Sequence, residues 1–565
     1  MTTKILKDWE SSRIASEKFS TYTTAFVTLR SSFAVKRHHG RLKVRTSEEE
    51  KVKKEKERQE KLKVFKHAMH VIQNKRKKCE LDTEQLDVTG QVLTKNPDIY
   101  TLWNIRREIL NVFRHNLPVM EMTKMYDAEL SLTEYCLKIN PKSYCAWHQR
   151  EWVLMTRSDP DWQKELALCN TYLKLDERNF HTWDYRRFVV SQCKPDLQEE
   201  FNYTTEKLHD NFSNYSAWHY RSKMLLQLFP DKEGGRPIQD SHYKRELKMV
   251  LSAAFTDPDD TSAWFYQRWL LGAVKNITQI VVCTVTSSKV SIAINNSVSI
   301  SYIKEKIKLI INNCEVIGEW KSCLGNEYDD LWVLNHDQSI TNHLDIKVEH
   351  ILGDTEIKVM SLSELKPGFY VGRNKISFQN NYSSTVLDEL KEQLDACRQL
   401  LELEPDNKWT LLTTAFFLHC VDAKAYHKEI IDIISTLINI DEQRAGYYND
   451  LKSKWCIEDN IQENYANLTL DYKVESKKLS SLPHLQYYSF CEAVDLSNQN
   501  LTSRVLPGLI KLQHCKKLNM SNNKLTSLQG FPYLTLEELD ITDNPLIENH
   551  VEQLRKKLEN TKIIF

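Results

Sequence analysis

Glycine and proline are scarce in this chain, 13 and 14 of 565 residues, about a third to a half of ordinary usage. So few turn formers and helix breakers exclude a chain built mainly of short strands and loops, and point to long helices. An excess of either charge is also missing, since 77 Lys and Arg balance 77 Asp and Glu. Such a balance gives no global reason to bind nucleic acid or an anionic membrane. Apolar runs are short. Those like residues 280–285 fall far below the roughly 20 residues of a membrane span, and residues 1–30 hold no secretory apolar core. The 13 cysteines form no C-x-x-C pair, the usage of a reducing compartment. At 41% hydrophobic and 27% charged the chain is too apolar for bulk disorder. The expectation is a cytoplasmic protein of several domains, without a transmembrane segment or nucleic-acid partner.

Self-sufficient chemistry is missing as well. There is no phosphate-cradling glycine loop, no H-E-x-x-H, no G-x-S-x-G and no Cys/His cluster at metal-ligand spacing. His38–His39 and the pair His67 and His70 stand isolated. On chemistry alone the chain reads as a scaffold.

What is present is a repeat. NPDIYTLWNIRR, NPKSYCAWHQRE, DERNFHTWDYRR, NFSNYSAWHYRS and DPDDTSAWFYQR align on Trp103, Trp147, Trp183, Trp218 and Trp264. Seven residues before each tryptophan stands Asn96, Asn140, Asp176, Asn211 or Asp257, and eighteen before stands Gln85, Glu129, Glu165, Glu200 or Glu246. Arg106, Arg150, Arg186 and Arg221 follow the first four tryptophans by three residues; in the fifth copy arginine slips to Arg268. LEPDNKWTLL is a weaker sixth copy, with Gln393–Leu394 upstream and Trp409 two positions early. An amphipathic helix such as 127–139 ends at Asn-Pro, and the Asn or Asp, or the polar residue after it, is placed to cap the next helix. There Tyr or Phe, Trp, Arg and Leu share one face. Each unit is a helical hairpin that must stack on its neighbours, so the fold is mainly α: an α-solenoid, with tryptophan in the inter-hairpin core and arginine on the upstream Glu or on helix C-terminal carbonyls.

The pattern breaks twice. From about 273 to 384 short, alternating, β-branched runs (IVVCTVTSSKVSIAINN, DLWVLN, LDIKVEHIL) predict an inserted immunoglobulin-like β-sandwich, with Cys283, Cys314 and Cys323 as buried thiols. Near the end LNMSNNKLTSL and LDITDNPL match a leucine-rich repeat, and AVDLSNQNLTS is a degenerate copy with Gln499 for asparagine. Asn523 and Asn544 are expected to bond backbone there. The charged run 48–66 reads as a solvated helix. The expected division is an extension at 1–37, hairpins one to five at 38–272, the sandwich at 273–384, remaining hairpins at 385–475 and leucine-rich repeats at 476–565. Asp8, Glu10 and Glu17 argue against a transit peptide at the start.

The N-x-x-x-Y-x-x-W-x-x-R hairpins, over about 81–274 and 388–450, resemble those of protein prenyltransferase α subunits. HGRLKVRTSEEE at 39–50, the insert after the fifth copy and the leucine-rich end resemble the family's type II branch, which modifies Rab GTPases. The α subunit shared by farnesyltransferase and type I geranylgeranyltransferase has similar helices but neither added domain. The resemblance implies a heterodimer, inactive as the α chain alone. Its β subunit holds zinc and the isoprenoid, and geranylgeranyl passes from its diphosphate to C-terminal cysteines of Rab GTPases presented by an escort protein. It also implies that Lys142, five residues before Trp147, stabilises the departing diphosphate, and that Tyr144 and His181 line the substrate cleft. Chains of this branch begin Met-His-Gly-Arg-Leu-Lys-Val, with the histidine within reach of the partner's zinc. Here His39 follows His38 and an extension, which leaves it a remote metal contact and no other metal ligand in this chain. Two other readings stand beside this one: the farnesyltransferase-type α subunit, and a non-enzymatic solenoid adaptor.

Overall fold

The computed structural model describes residues 48–231, 237–274, 277–335, 344–352, 356–380, 382–465, 469–475 and 477–565. Residues 1–37, the HGRLKVR segment and His39 lie outside the described residues. The chain divides into two compact units, Met1–Pro160 and Asp161–Phe565.

The first unit opens with α1 (Glu48–Lys77), whose charged part is exposed and laced by pairs such as Lys51 with Glu48. Only near Ile72, fully buried, does it join a core. Two hairpins follow: α2 (Thr83–Leu93) with α3 (Tyr100–Asn116), and α4 (Val119–Ile139) with α5 (Tyr144–Thr156). The second unit continues the pattern with α6 (Trp162–Leu175) and α7 (Phe180–Cys193), α8 (Leu197–Asp210) and α9 (Tyr215–Leu228), α10 (Asp240–Thr256) and α11 (Thr261–Gly272).

The turn inside each hairpin is built the same way. The Asn or Asp seven before the tryptophan accepts the N–H two residues on, as from Asn140 to Lys142 (3.1 Å) and Asn211 to Ser213 (2.9 Å). It closes the first helix and makes an Asx turn. Capping of the second helix falls to another residue, four before the tryptophan: Ser143, Asn179, Asn214 and Asp260 accept the first-turn amides. The tryptophan then locks the turn. Each of the five indole N–H groups donates to the carbonyl six residues back, at 2.8–3.0 Å, while its ring is at most 5% exposed.

The arginine and glutamate join hairpin to hairpin. The expected upstream partner is wrong for the glutamate: Arg106 binds Glu129, Arg186 binds Glu200 and Arg221 binds Glu246, each on the next hairpin's first helix. Toward its own first helix the arginine donates to a carbonyl and threonines, as Arg221 does to Phe201 O (3.4 Å), Thr204 (3.1 Å) and Thr205 (2.7 Å). A side chain two residues after each of the last four tryptophans completes the site, with Gln149 donating to Glu129, Tyr185 to Glu165, Tyr220 to Glu200 and Tyr266 to Glu246. A buried carboxylate is thus paired and doubly bonded, the condition for holding its charge.

After α11 come β1 (Ile280–Val285), β2 (Lys289–Ser299), α12 (Ile300–Lys306), β3 (Ile307–Ile311), β4 (Cys314–Glu315), β5 (Trp320–Ser322), β6 (Tyr328–Asn335), β7 (Ile346–Leu352), β8 (Glu356–Ser361), β9 (Ser363–Lys366) and β10 (Phe369–Arg373). They form antiparallel sheets of order β5-β6-β2-β1-β10-β9 and β4-β3-β7-β8. Lettered in sequence, β5-β6-β2-β1 is the D-E-B-A order of an immunoglobulin sandwich facing C′-C-F-G, with the β9–β10 hairpin added beyond A. One core holds both inner faces, among them Ile292, Leu309, Trp332 and Val348. Gly372 on β10 suits this packing, because a Cβ there would stand 2.8 Å from the Met360 sulfur. Of the three cysteines expected to be buried, Cys283 is; Cys323 is half-buried and Cys314 exposed, because β4 has only two residues, both at the surface.

Helices resume as α13 (Ser384–Leu403), α14 (Lys408–Asp422), α15 (His427–Ile440) and α16 (Ala445–Glu463). The last layer is a parallel sheet of β11 (Asp471–Lys473), β12 (Ala493–Asp495), β13 (Lys517–Asn519), β14 (Glu538–Asp540) and β15 (Lys562–Ile564). Asn523 accepts Leu501 N–H (3.0 Å) and donates to Leu496 O (2.9 Å); Asn544 does the same for Leu525 and Met520. Gln499 fills the asparagine role, accepting Leu479 N–H at 2.9 Å and donating to Glu475 O. The outer face of the six-stranded sheet (Val281, Leu331, Val371), α16 (Ile457, Ile461) and the repeat leucines form a single core.

Candidate functional site

Lys142 and Tyr144 belong to the first unit and His181 to the second. Lys142 lies in the turn between α4 and α5, in Asn140-Pro141-Lys142-Ser143. Three bonds pin the backbone around it: its own N–H to Asn140 Oδ1 (3.1 Å), Trp147 Nε1–H to Pro141 O (2.9 Å), and Ala146 N–H to Ser143 Oγ (3.3 Å). Ser143 is fully buried while Lys142 is exposed, so a rigid turn holds the lysine at the surface directly before the N-terminus of α5. That helix end adds its own positive field, and an anion there meets both.

Tyr144 opens α5 and is 69% exposed. The expectation that this aromatic position shares the buried face with tryptophan is therefore corrected. Tyr100, Tyr144, Phe180 and Tyr215, each three before its tryptophan, are 68, 69, 48 and 57% exposed. In the first turn of a helix, the hairpin's own loop leaves that direction uncovered. His181, by contrast, is 6% exposed; its N–H is held by Asn179 Oδ1 (3.1 Å) and its ring stacks on Phe180 at 4.1 Å.

A residue outside the repeat pattern borders the Lys142 turn. Arg107 donates to Gln149 Oε1 at 2.6 Å, and Gln149 bridges to Glu129. Burial draws the Arg107 guanidinium below its ordinary value, with the Cys145 thiol and Glu129 pulling the other way. Cys145 is itself pushed up by burial and by Asp98, and Asp98 accepts from Asn140 Nδ2 at 2.9 Å. The doubled Arg106-Arg107 is the sequence signal that points to it. Among the described residues no three His, Cys, Asp or Glu side chains come together as a metal site, and no helix is long and apolar enough to cross a membrane.

Paired helices with a buried Trp-Arg-Glu linkage, presenting a cation on the connecting turn, define a repeat protein of the prenyltransferase α-subunit class. The family model described as "Protein prenyltransferase alpha subunit repeat" matches residues 82–113, 126–157, 162–193, 197–228 and 243–274. The "Geranylgeranyl transferase type-2 subunit alpha" of Sus scrofa is 36% identical over 528 residues, 91% of this chain and 93% of that protein. Its namesake in Dictyostelium discoideum is 28% identical over 74% of this chain and 99% of its own length. The one in Schizosaccharomyces pombe is 35% identical over 57% of this chain and 94% of its own. The chain belongs to the geranylgeranyl transferase type-2 α-subunit family.

Proposed function

We propose that this chain works as the α subunit of a heterodimer, inactive by itself, that transfers geranylgeranyl from its diphosphate to C-terminal cysteines of Rab GTPases presented by an escort protein in the cytoplasm. The observation that carries this reading is family membership over nine tenths of the chain, and an exposed Lys142 on a pinned turn supports it. In the transfer a cysteine sulfur bonds to C1 of the isoprenoid, the C1–O bond breaks, and negative charge gathers on the departing diphosphate. Lys142, aided by the α5 N-terminus, is the donor this chain offers to that charge. Tyr144 and His181 are the residues proposed to line the substrate cleft, and the exposed Tyr100 and Tyr144 are apolar surface for the β subunit to cover. Zinc is assigned, by resemblance, to the β subunit. The division into five hairpins, inserted sandwich, further hairpins and leucine-rich repeats belongs to the same proposal.

The test is co-expression with a candidate β subunit, size exclusion, and transfer of labelled geranylgeranyl to a Rab with escort protein added. A stable one-to-one complex whose activity neither chain shows alone supports the proposal. No complex favours an adaptor. Activity on CaaX peptides without escort favours the farnesyltransferase-type subunit.

A further inference from the structure

The inserted sandwich carries a recognition surface that does not depend on the transferase reading. Strand β8 ends the four-stranded sheet. It pairs with β7, and among the described residues no strand lies along its other side. Alternate N–H and C=O groups on that side are therefore open to a further strand. The strand, Glu-Ile-Lys-Val-Met-Ser, contains no proline, and Ile357 and Val359 on its outer face are 53 and 55% exposed.

Along this same strand a cleft of about 400 Å³ opens between the two sheets, its lining including Lys358 and Met360 of β8, His350 of β7, Gln279, Asn374 and Lys375. Among the described residues no carboxylate lines it. Lys358 has Glu356 at 3.8 Å, both exposed, a weak surface pair. His350 bonds the Tyr302 hydroxyl at 2.9 Å, and burial, with Lys358 adding to it, holds its pKa down, so its ring adds no charge near neutral pH. Among the described lining residues the charge is that of Lys358 and Lys375. A lone lysine on an edge strand also serves to discourage pairing; a second, contributed from beyond β10 to the same cleft, is not explained by that role.

We propose that β8 and the cleft together bind an extended acidic segment of a partner protein. The segment adds as a strand through main-chain hydrogen bonds. Because side chains alternate along a strand, its acidic residues turn inward between Lys358 and Lys375 while its apolar residues cover Ile357 and Val359.

Full-length protein is titrated into a fluorescent Val-Glu-Val-Glu-Val-Thr-Val peptide and into the counterpart with Lys for Glu, while hydrogen exchange is followed over 356–361. The glutamate peptide is expected to bind at least about tenfold more tightly and to slow exchange along β8. Lys358→Glu with Lys375→Glu, two surface changes, should reverse the preference, and N-methylation of alternate peptide amides should abolish binding. Equal affinity of the two peptides, or binding of neither, overturns the proposal. So does binding that survives N-methylation or leaves β8 exchange unchanged.

Discussion

Glu246 sits 2% exposed between Arg221 and Tyr266, and the chain contains its own control for that site. In the fifth hairpin the arginine position is Gln267, and the residue it meets on α13 is Gln393 rather than glutamate, at 3.1 Å. Both positions carry amides, so neither leaves a charge buried unpaired. Gln85 fits the same rule, since among the described residues no preceding hairpin supplies an arginine, and it donates instead to Ile72 O. The displaced Arg268 lies 5.6–5.8 Å from the Phe265, Trp409 and Phe416 rings. Arg221→Gln or Glu246→Gln alone should therefore cost about 3–5 kcal/mol, and the double variant should recover much of it; a double variant as unstable as the sum of the singles refutes the pairing argument. Lys142→Ala belongs at this scale too. On the proposed role of Lys142, losing one donor to a developing anion costs on the order of a hundredfold in kcat; unchanged kcat in the reconstituted enzyme would refute that role.

The sandwich packs on the leucine-rich sheet through one shared core. His514 Nε2 lies 2.9 Å from the Thr284 hydroxyl, and its ring packs edge-on against Phe369. Burial pulls its pKa down to about 4, Lys289 and Lys366 adding to the effect and Glu492 opposing it. The unfolded chain then takes up this proton first, so the contribution is complete above the ordinary histidine value of 6.5 and is lost as pH falls from there toward 4. We expect the loss to approach about 3 kcal/mol, and His514→Gln to flatten the unfolding midpoint between pH 6.5 and 4.5. A variant with an unaltered pH profile would place the titration elsewhere. Lys511 with Asp330 (2.6 Å) and Lys366 with Glu492 bridge the same boundary, and no motif in the sequence marked them, since each partner is separated by more than a hundred residues.

For the whole chain, the insert is a structural part as well as a module. The central strands β6, β2, β1 and β10 of the six-stranded sheet place buried residues on both faces, and β1 is buried at every position. Excising 277–380 and joining the helices with a flexible linker should uncover the leucine-rich core and give a protein that aggregates and binds a hydrophobic dye; a monodisperse, dye-negative product would show the domains to be independent. The Schizosaccharomyces pombe relative bears the family name while its match covers 57% of this chain, so part of the length here is additional to what that relative contains. Periodicity in the sequence alone decided the hairpins, the tryptophan positions, the switch to strands and the asparagine ladder, because each rests on contacts between residues within one turn or one repeat. Tertiary structure alone decided which glutamate each arginine meets, that the aromatic before each of the first four tryptophans faces solvent, and that the sandwich rests on the leucine-rich sheet. Those depend on the direction in which one hairpin or sheet approaches the next, and spacing along a chain does not encode direction.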